Sequence, residues 1–325
     1  MPLSFGSVNF QRESVMSGIH VVVGAGPVGS ALAELLANAG EKVIVVTRSG
    51  SGPTHKNVTR AAADVSDLSK LFEIAPSATA IYNCVNPPYH RWAEEWPPMA
   101  SSFLSYAEKT GAVLVTCSNL YGYGPVDVPM TESLPLNAPG VNGKVRAKMW
   151  MDAKALHDAG RIKATEVRGS DYVCAGEQSR VGSRVMPKIL AGKPTQVLGD
   201  IDQKHTWTYP LDVARLMQIV ATDSKAWGKA WHVPSNEPKT QKELIAELAA
   251  AGGVKNPKLS SVPQVMWNLL ALFNPLMKAL KETAYQMERP YILDDNAARK
   301  TFGMQPTEWK QILSEVVADT RSNMK

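Results

Sequence analysis

Cysteine is scarce in this sequence, long apolar runs are missing, and no dense patch of one charge occurs; each shortage excludes a class of protein. Cys84, Cys117 and Cys174 are the three cysteines in 325 residues. They are too few and too scattered for a disulfide framework or a zinc site, so a reducing cytoplasm is the expected location. No HExxH, CxxC or paired-carboxylate cluster occurs, which leaves hydrolytic and metal-dependent chemistry without residues, and no metal is expected. The longest apolar candidate for a membrane span, Val262 to Leu280, is broken by Pro263, Asn268, Asn274 and Pro275. The net charge is +5, yet lysine and arginine form no tract and no basic-aromatic repeat, so neither nucleic acid nor a membrane is expected as a partner. Residues 1–17 carry Arg12 and Glu13 and lack a continuous apolar core, unlike a secretory signal. They read as a flexible extension, with Met16 as an alternative start.

What the sequence does have is the stretch Ile19 to Ser49, GIHVVVGAGPVGSALAELLANAGEKVIVVTRS counted from Gly18. An apolar run is followed by Gly24-Ala25-Gly26-Pro27-Val28-Gly29, a helical pattern closing at Gly40, and a second apolar run, Val43 to Val46. The order strand, glycine turn, helix, strand is that of a dinucleotide-binding unit. The first glycine permits the tight turn, the second lets backbone approach a pyrophosphate, and the third lets helix pack on strand. A helix starting near Pro27 points its free N–H groups and positive dipole end at that pyrophosphate. Between Val43 and Pro53 there is no Asp or Glu to accept from a ribose 2′-hydroxyl, whereas Arg48 stands at the strand end, where a 2′-phosphate would lie. NADP(H) is therefore favoured over NAD(H).

Further strands are expected at Val58 to Ala63, Thr79 to Val85, Ala112 to Thr116 and Lys163 to Arg168, alternating with helices capped near Ser66, over Ala93 to Thr110 and over Gly143 to Ala159. That alternation specifies an α/β fold with a Rossmann-type, doubly wound parallel sheet, and ligands beyond the carboxyl ends of its strands. Residues 18–177 form the expected dinucleotide domain. Residues 178–325 form a smaller C-terminal substrate lobe with segments returning to the first domain. Within that part Asp212 is expected to cap a helix starting near Val213, and Val262 to Leu280 reads as a pocket lid, a homodimer face or plain core packing.

These signals resemble the extended or atypical short-chain dehydrogenases/reductases, the group that includes NAD-dependent epimerases and dehydratases. The similar features are the glycine turn, Asp64-Val65, Leu120-Tyr121-Gly122 after the fifth strand, a helix carrying Lys148, Arg168, Thr208 to Arg215 and Trp231 to Pro234. The resemblance implies that Asp64 and Val65 hold the adenine, that Cys84, Val85 and Asn86 run along the cofactor, and that Gly169 and Ser170 lie near the nicotinamide. Members that do redox chemistry carry a Tyr-x-x-x-Lys pair and a Ser or Thr. Here the lysine is matched to Lys148, Lys144 falls where the tyrosine belongs, and Cys117, beside Ser118, falls at the serine position. Three functions stay open. One is an NADP(H)-dependent reductase or dehydrogenase of a small carbonyl or enone substrate, with Lys144, Tyr121, Tyr123 or a water as proton donor. The others are an epimerase or dehydratase, and an NADP(H)-binding sensor without turnover.

Tyr89, Trp92, Tyr123, Lys144, His205 and Trp207 are the candidate substrate-pocket residues. Against this, Tyr89 and Trp92 equally suit packing at the start of a helix, and for His205 a solvated loop histidine is the simpler account. Cys117 is a candidate nucleophile, with a small buried replacement for serine as the simpler account.

Overall fold

The computed structural model describes residues 18–324; the expected N-terminal extension lies outside them. Strands β1 (Ile19–Val23), β2 (Lys42–Thr47), β3 (Val58–Ala62), β4 (Ala80–Asn83), β5 (Val113–Asn119) and β6 (Lys163–Gly169) join a strand from much later in the chain, Ala230–His232. They form one seven-stranded sheet, in which Ala230–His232 lies beside β6 and the order continues β5, β4, β1, β2, β3. Every pairing in it is parallel. Parallel strands need crossovers and are buried on both faces, which is why β1, His20 apart, and β4 up to Tyr82 read as continuous apolar runs rather than alternating ones.

Helices α1 (Pro27–Asn38), α2 (Leu68–Ile74), α3 (Trp92–Thr110) and α4 (Val141–Asp158) supply crossovers, and Pro210–Thr222 returns from the C-terminal half to pack with α1 on one face. That face buries Val22, Leu32, Leu36, Val45, Tyr82 and Val115 with Val213 and Met217. The opposite face buries Val21, Ile81, Trp92, Trp96, Phe103 and Leu114. A separate core of Val185, Ile189, Leu244, Leu248, Ile312 and Val316 lies in the C-terminal half. Its helix Gln241–Ala251 starts at Thr240 with a complete capping box to Glu243. Among the described residues no helix is long and apolar enough to cross a membrane.

Several boundaries differ from the sequence reading. Strand β5 does not stop at Thr116 but continues to Asn119, because β6 pairs with it as far as Asn119 opposite Gly169. The cap of α2 is Asp67, which accepts from the Lys70 N–H, while Ser66 instead donates to Asp64. Asp212 is not a cap: the helix already begins at Pro210, and Asp212 sits buried in its first turn, accepting from the Thr307 N–H and hydroxyl and pairing with Arg215. Val262 to Leu280 contains two helices, Gln264–Phe273 and Pro275–Glu282. Trp267 and Ala271 turn inward, but Val265, Leu269, Leu272 and Phe273 are exposed, so the outer face of the first helix is not core.

Candidate functional site

Beyond the carboxyl ends of β1, β2, β4, β5 and β6 runs a groove made of two connected cavities. The first, of about 370 Å³, is lined by the glycine turn, Arg48, Asp64, Val65 and Met99. The second, a narrow cleft of about 80 Å³, is lined by Val28, Tyr89, Cys117 to Tyr121, Arg146, Gly169 to Tyr172, Gln286 and Tyr291. Gly26, Cys84, Val85, Asn86 and Gln178 line both.

The glycine turn is built as its residues require. Gly24 has φ +99°, and a Cβ there would stand 2.6 Å from the Cys84 carbonyl oxygen. A Cβ on Gly29 would stand 1.9 Å from the Gly24 oxygen, so only glycine lets α1 come this close to β1. Helix α1 has no side-chain cap and no acidic residue in its first turn. Its N-terminal amides and dipole are thus left for an anion, and the turn fits a dinucleotide pyrophosphate. Arg48 is exposed at the rim of the same cavity. Asp64 faces that cavity too, and its carboxyl is held below the usual range chiefly by hydrogen bonds from Ser66, with Arg48 adding to the effect.

The other end of the groove differs from expectation. Lys144 and Lys148 stand on the outer face of α4, both exposed, and Lys148 pairs with Asp152 at 2.9 Å. The structure does not bring either lysine to the groove. The inward face of α4 carries Asn142 and Arg146, which are buried and one helical turn apart. A shift of two residues along a helix turns a side chain through about 200°, to the opposite side. Hence the i, i+4 pair that faces the sheet is Asn142 with Arg146, not Lys144 with Lys148. Arg146 is 6% exposed. Its guanidinium carbon lies 4.6 and 4.4 Å from the ring centroids of Trp92 and Trp96, and Nη1 reaches toward the Cys117 carbonyl at 3.5 Å.

Tyr123 is also outside the groove. Its hydroxyl accepts from Arg168 at 2.6 Å and meets His232 Nε2 at 2.8 Å, and Arg168 in turn pairs with Glu166 at 2.6 Å. Burial pushes the Tyr123 phenol up to about 12. His205 is 1% exposed rather than solvated: it contacts the Asp171 carboxylate and the Ser170 hydroxyl, both at 3.2 Å, and stacks on Tyr291. Trp207 is buried with the C-terminal core and donates to the Lys239 carbonyl. Trp92 packs the start of α3 behind Tyr89, which itself lines the groove.

The residues that do face the second cavity include Cys117 and Ser118. Burial raises the Cys117 thiol, opposed by a hydrogen bond with the Tyr172 hydroxyl and by Arg146. Such a thiol is a poor nucleophile. Tyr121 and Tyr89 share a hydrogen bond at 3.2 Å, and burial drives both phenols upward, as it does Tyr172. Asp171 is the exception. Burial opposes its ionisation, but the ion pair with Arg180 and the contact with His205 outweigh that and hold it at about 2.

Sequence reasoning did not single out Arg146, Asp171, Arg180, Gln178, Gln286 or Tyr291. Arg146 was discoverable from the helical period alone, since Asn142, Arg146, Trp150 and Ala153 repeat on one face. Gln286 and Tyr291 come from a distant segment, and no local pattern announces them.

Residues 20–233, more than half of the chain, match the model of the NAD dependent epimerase/dehydratase family. None of the curated proteins matches the sequence. Among solved structures, UDP-glucose 4-epimerase of Thermotoga maritima is similar at 18% identity and TM-score 0.77, covering 94% of this chain and 100% of its own. The dTDP-glucose 4,6-dehydratase of Bacillus anthracis, in complex with NAD, is similar at 17% identity and TM-score 0.75, covering 94% and 97%. An epimerase of Methanothermobacter thermautotrophicus gives 16% identity and TM-score 0.78, covering 95% and 93%. At these identities the structures share the fold, and with the family match they lead to one conclusion: the chain belongs to the NAD dependent epimerase/dehydratase family.

Proposed function

We propose that this protein is an NADP(H)-dependent oxidoreductase of a small organic substrate, in which the proton moves through a group other than a helix tyrosine. The observation that carries the reading is the continuous groove from Arg48 through the glycine turn to Tyr172 and Arg146. A nicotinamide dinucleotide supplies hydride exchange when bound. In this reading the Gly24 turn and the start of α1 bind its pyrophosphate, Arg48 its 2′-phosphate, and Asp64 with Val65 its adenine. Cys84, Val85 and Asn86 run along its length. Gly169, Ser170 and Cys117 border the nicotinamide end.

The hydroxyl pair of Tyr89 and Tyr121 offers a neutral proton donor inside the second cavity. Exclusion of Lys144 from the groove removes the donor that the sequence suggested, and the raised phenols lack the lysine that would lower them. This second observation favours an alternative reading, a protein that binds NADP(H) without turnover.

Titrating the purified protein with NADPH and NADH, then assaying a panel of aldehydes, ketones and enones, separates the two. Turnover with NADPH supports the enzyme; tight binding with no turnover on any substrate supports the sensor; absence of dinucleotide binding overturns both. Arg48→Ala is expected to weaken NADPH about tenfold, roughly 1.4 kcal/mol, and leave NADH nearly unchanged. Equal loss for the two cofactors would remove Arg48 from the selection.

A further inference from the structure

Four residues that line the second cavity carry buried polar atoms with no hydrogen-bond partner in the protein: Arg146 Nε, Ser118 Oγ, both amide atoms of Gln286, and Tyr291 Oη. Native proteins leave few such atoms, and each unsatisfied one costs about 1–3 kcal/mol. Several converging on one cavity therefore mark the place where a polar ligand supplies the missing partners. They are all at least nine-tenths buried, with Arg146 6%, Ser118 5%, Gln286 1% and Tyr291 3% exposed.

The charge of that ligand follows from Arg146. No carboxylate lies within ion-pair distance of it among the described residues; Glu166, whose charge it feels, is engaged by Arg168 at 2.6 Å. A guanidinium stays charged even when buried, and an unpaired buried charge is strongly destabilising unless something compensates it. The indole faces of Trp92 and Trp96 compensate part of it. They leave Nε without a partner, while Nη1 makes only a long hydrogen bond, 3.5 Å, to the Cys117 carbonyl. The other charges at this end cancel: Asp171 is paired with Arg180 and contacts His205. Two guanidiniums against one carboxylate give the reacting end of the groove a net positive charge.

From this geometry we infer that Arg146 forms an oxyanion subsite, and that the substrate is a small organic acid whose carboxylate docks on its guanidinium. Its hydroxyl or carbonyl oxygens meet Ser118, Gln286 and Tyr291. The planar fork matches a carboxylate in two parallel hydrogen bonds. This rests on the second cavity being the substrate end of the proposed oxidoreductase, and it names the class of substrate.

The indoles stacked on the guanidinium give a direct readout. Tryptophan fluorescence and calorimetry would follow titration of the full protein with lactate, lactamide and methyl phosphate, each with and without NADPH. Lactate is expected to bind at least about tenfold more tightly than lactamide. Arg146→Met should abolish the difference, and Arg146→Lys should retain part of it, with circular dichroism showing that each variant is folded. Equal binding of acid and amide, binding of neither, or acid preference surviving in Arg146→Met would overturn the subsite. Preference for methyl phosphate would overturn the carboxylate assignment. NADPH affinity is read separately, so a failure of the cofactor reading leaves acid discrimination in the cofactor-free protein interpretable.

Discussion

Two buried polar clusters stand near the carboxyl ends of β5 and β6, and they differ in one respect. In the first, Glu166, Arg168, Tyr123 and His232 satisfy one another: Arg168 bridges Glu166 and the Tyr123 hydroxyl, and His232 links that hydroxyl to the Asp294 carbonyl. In the second, Arg146, Ser118, Gln286 and Tyr291 leave polar atoms without partners around an open cavity. Both are rich in chemistry-bearing residues, so residue type alone does not distinguish them. A closed network supports the fold, whereas an open one awaits a ligand. Tyr123, which the sequence offered as a catalytic residue, belongs to the closed network.

The largest effect should come from breaking the closed network. Both side chains of the Glu166–Arg168 pair are only 3% exposed. Removing one partner strands the other charge, so Arg168→Met should lower unfolding free energy by about 3–5 kcal/mol in denaturant titrations. The double variant Glu166→Gln with Arg168→Met should recover much of that loss. If Arg168→Met alone changes stability by less than about 1 kcal/mol, the network is not what holds this end of the sheet.

A somewhat smaller effect should come from pH. Burial lowers His232 to about 4 from an ordinary 6.5. The unfolded chain therefore takes up the His232 proton before the folded one does. Stability from the neutral imidazole is full above pH about 6.5 and is lost as pH falls toward about 4, on the order of 3 kcal/mol in all. Glu132, whose carboxyl burial pushes upward, works in the opposite direction, because the folded state then binds that proton first. The measurement is thus the difference in slope of stability against pH between the parent protein and His232→Gln. Identical slopes between pH 6.5 and 4 would show that His232 titrates normally.

Much of the fold was legible because it is written locally. The Gly24 to Gly29 turn and the apolar runs of β1 and β4 each act within a few residues, through backbone sterics and continuous burial. The end of β5 was less legible, since its last residues are strand only through their partner β6. At the site, the glycine turn and Arg48 belong to one βαβ unit and were nameable together. The substrate end was not, because it depends on the direction in which α4 rolls against the sheet and on Gln286 and Tyr291 arriving from far along the chain. Matching α4 to a motif by its lysines put the pair on the wrong side of the helix; matching it by burial period puts Arg146 inside.

The smallest effect on stability is expected where the effect on function is expected to be greatest. Arg146→Met removes a buried charge that has no acidic partner and leaves a side chain of similar length between Trp92 and Trp96. The lost cation–π attraction, about 1–2 kcal/mol, is set against relief of the desolvated charge. The two nearly cancel, and stability measured without ligand should change by less than about 1 kcal/mol in either direction. Arg168→Met makes the same chemical change at a similar depth, on strand β6 rather than on helix α4. A large loss at Arg168 beside little or none at Arg146 would mean that the second guanidinium contributes little to folding and is kept for what binds there. Comparable losses at the two positions would place Arg146 with the closed network, and the contrast between the clusters would fail.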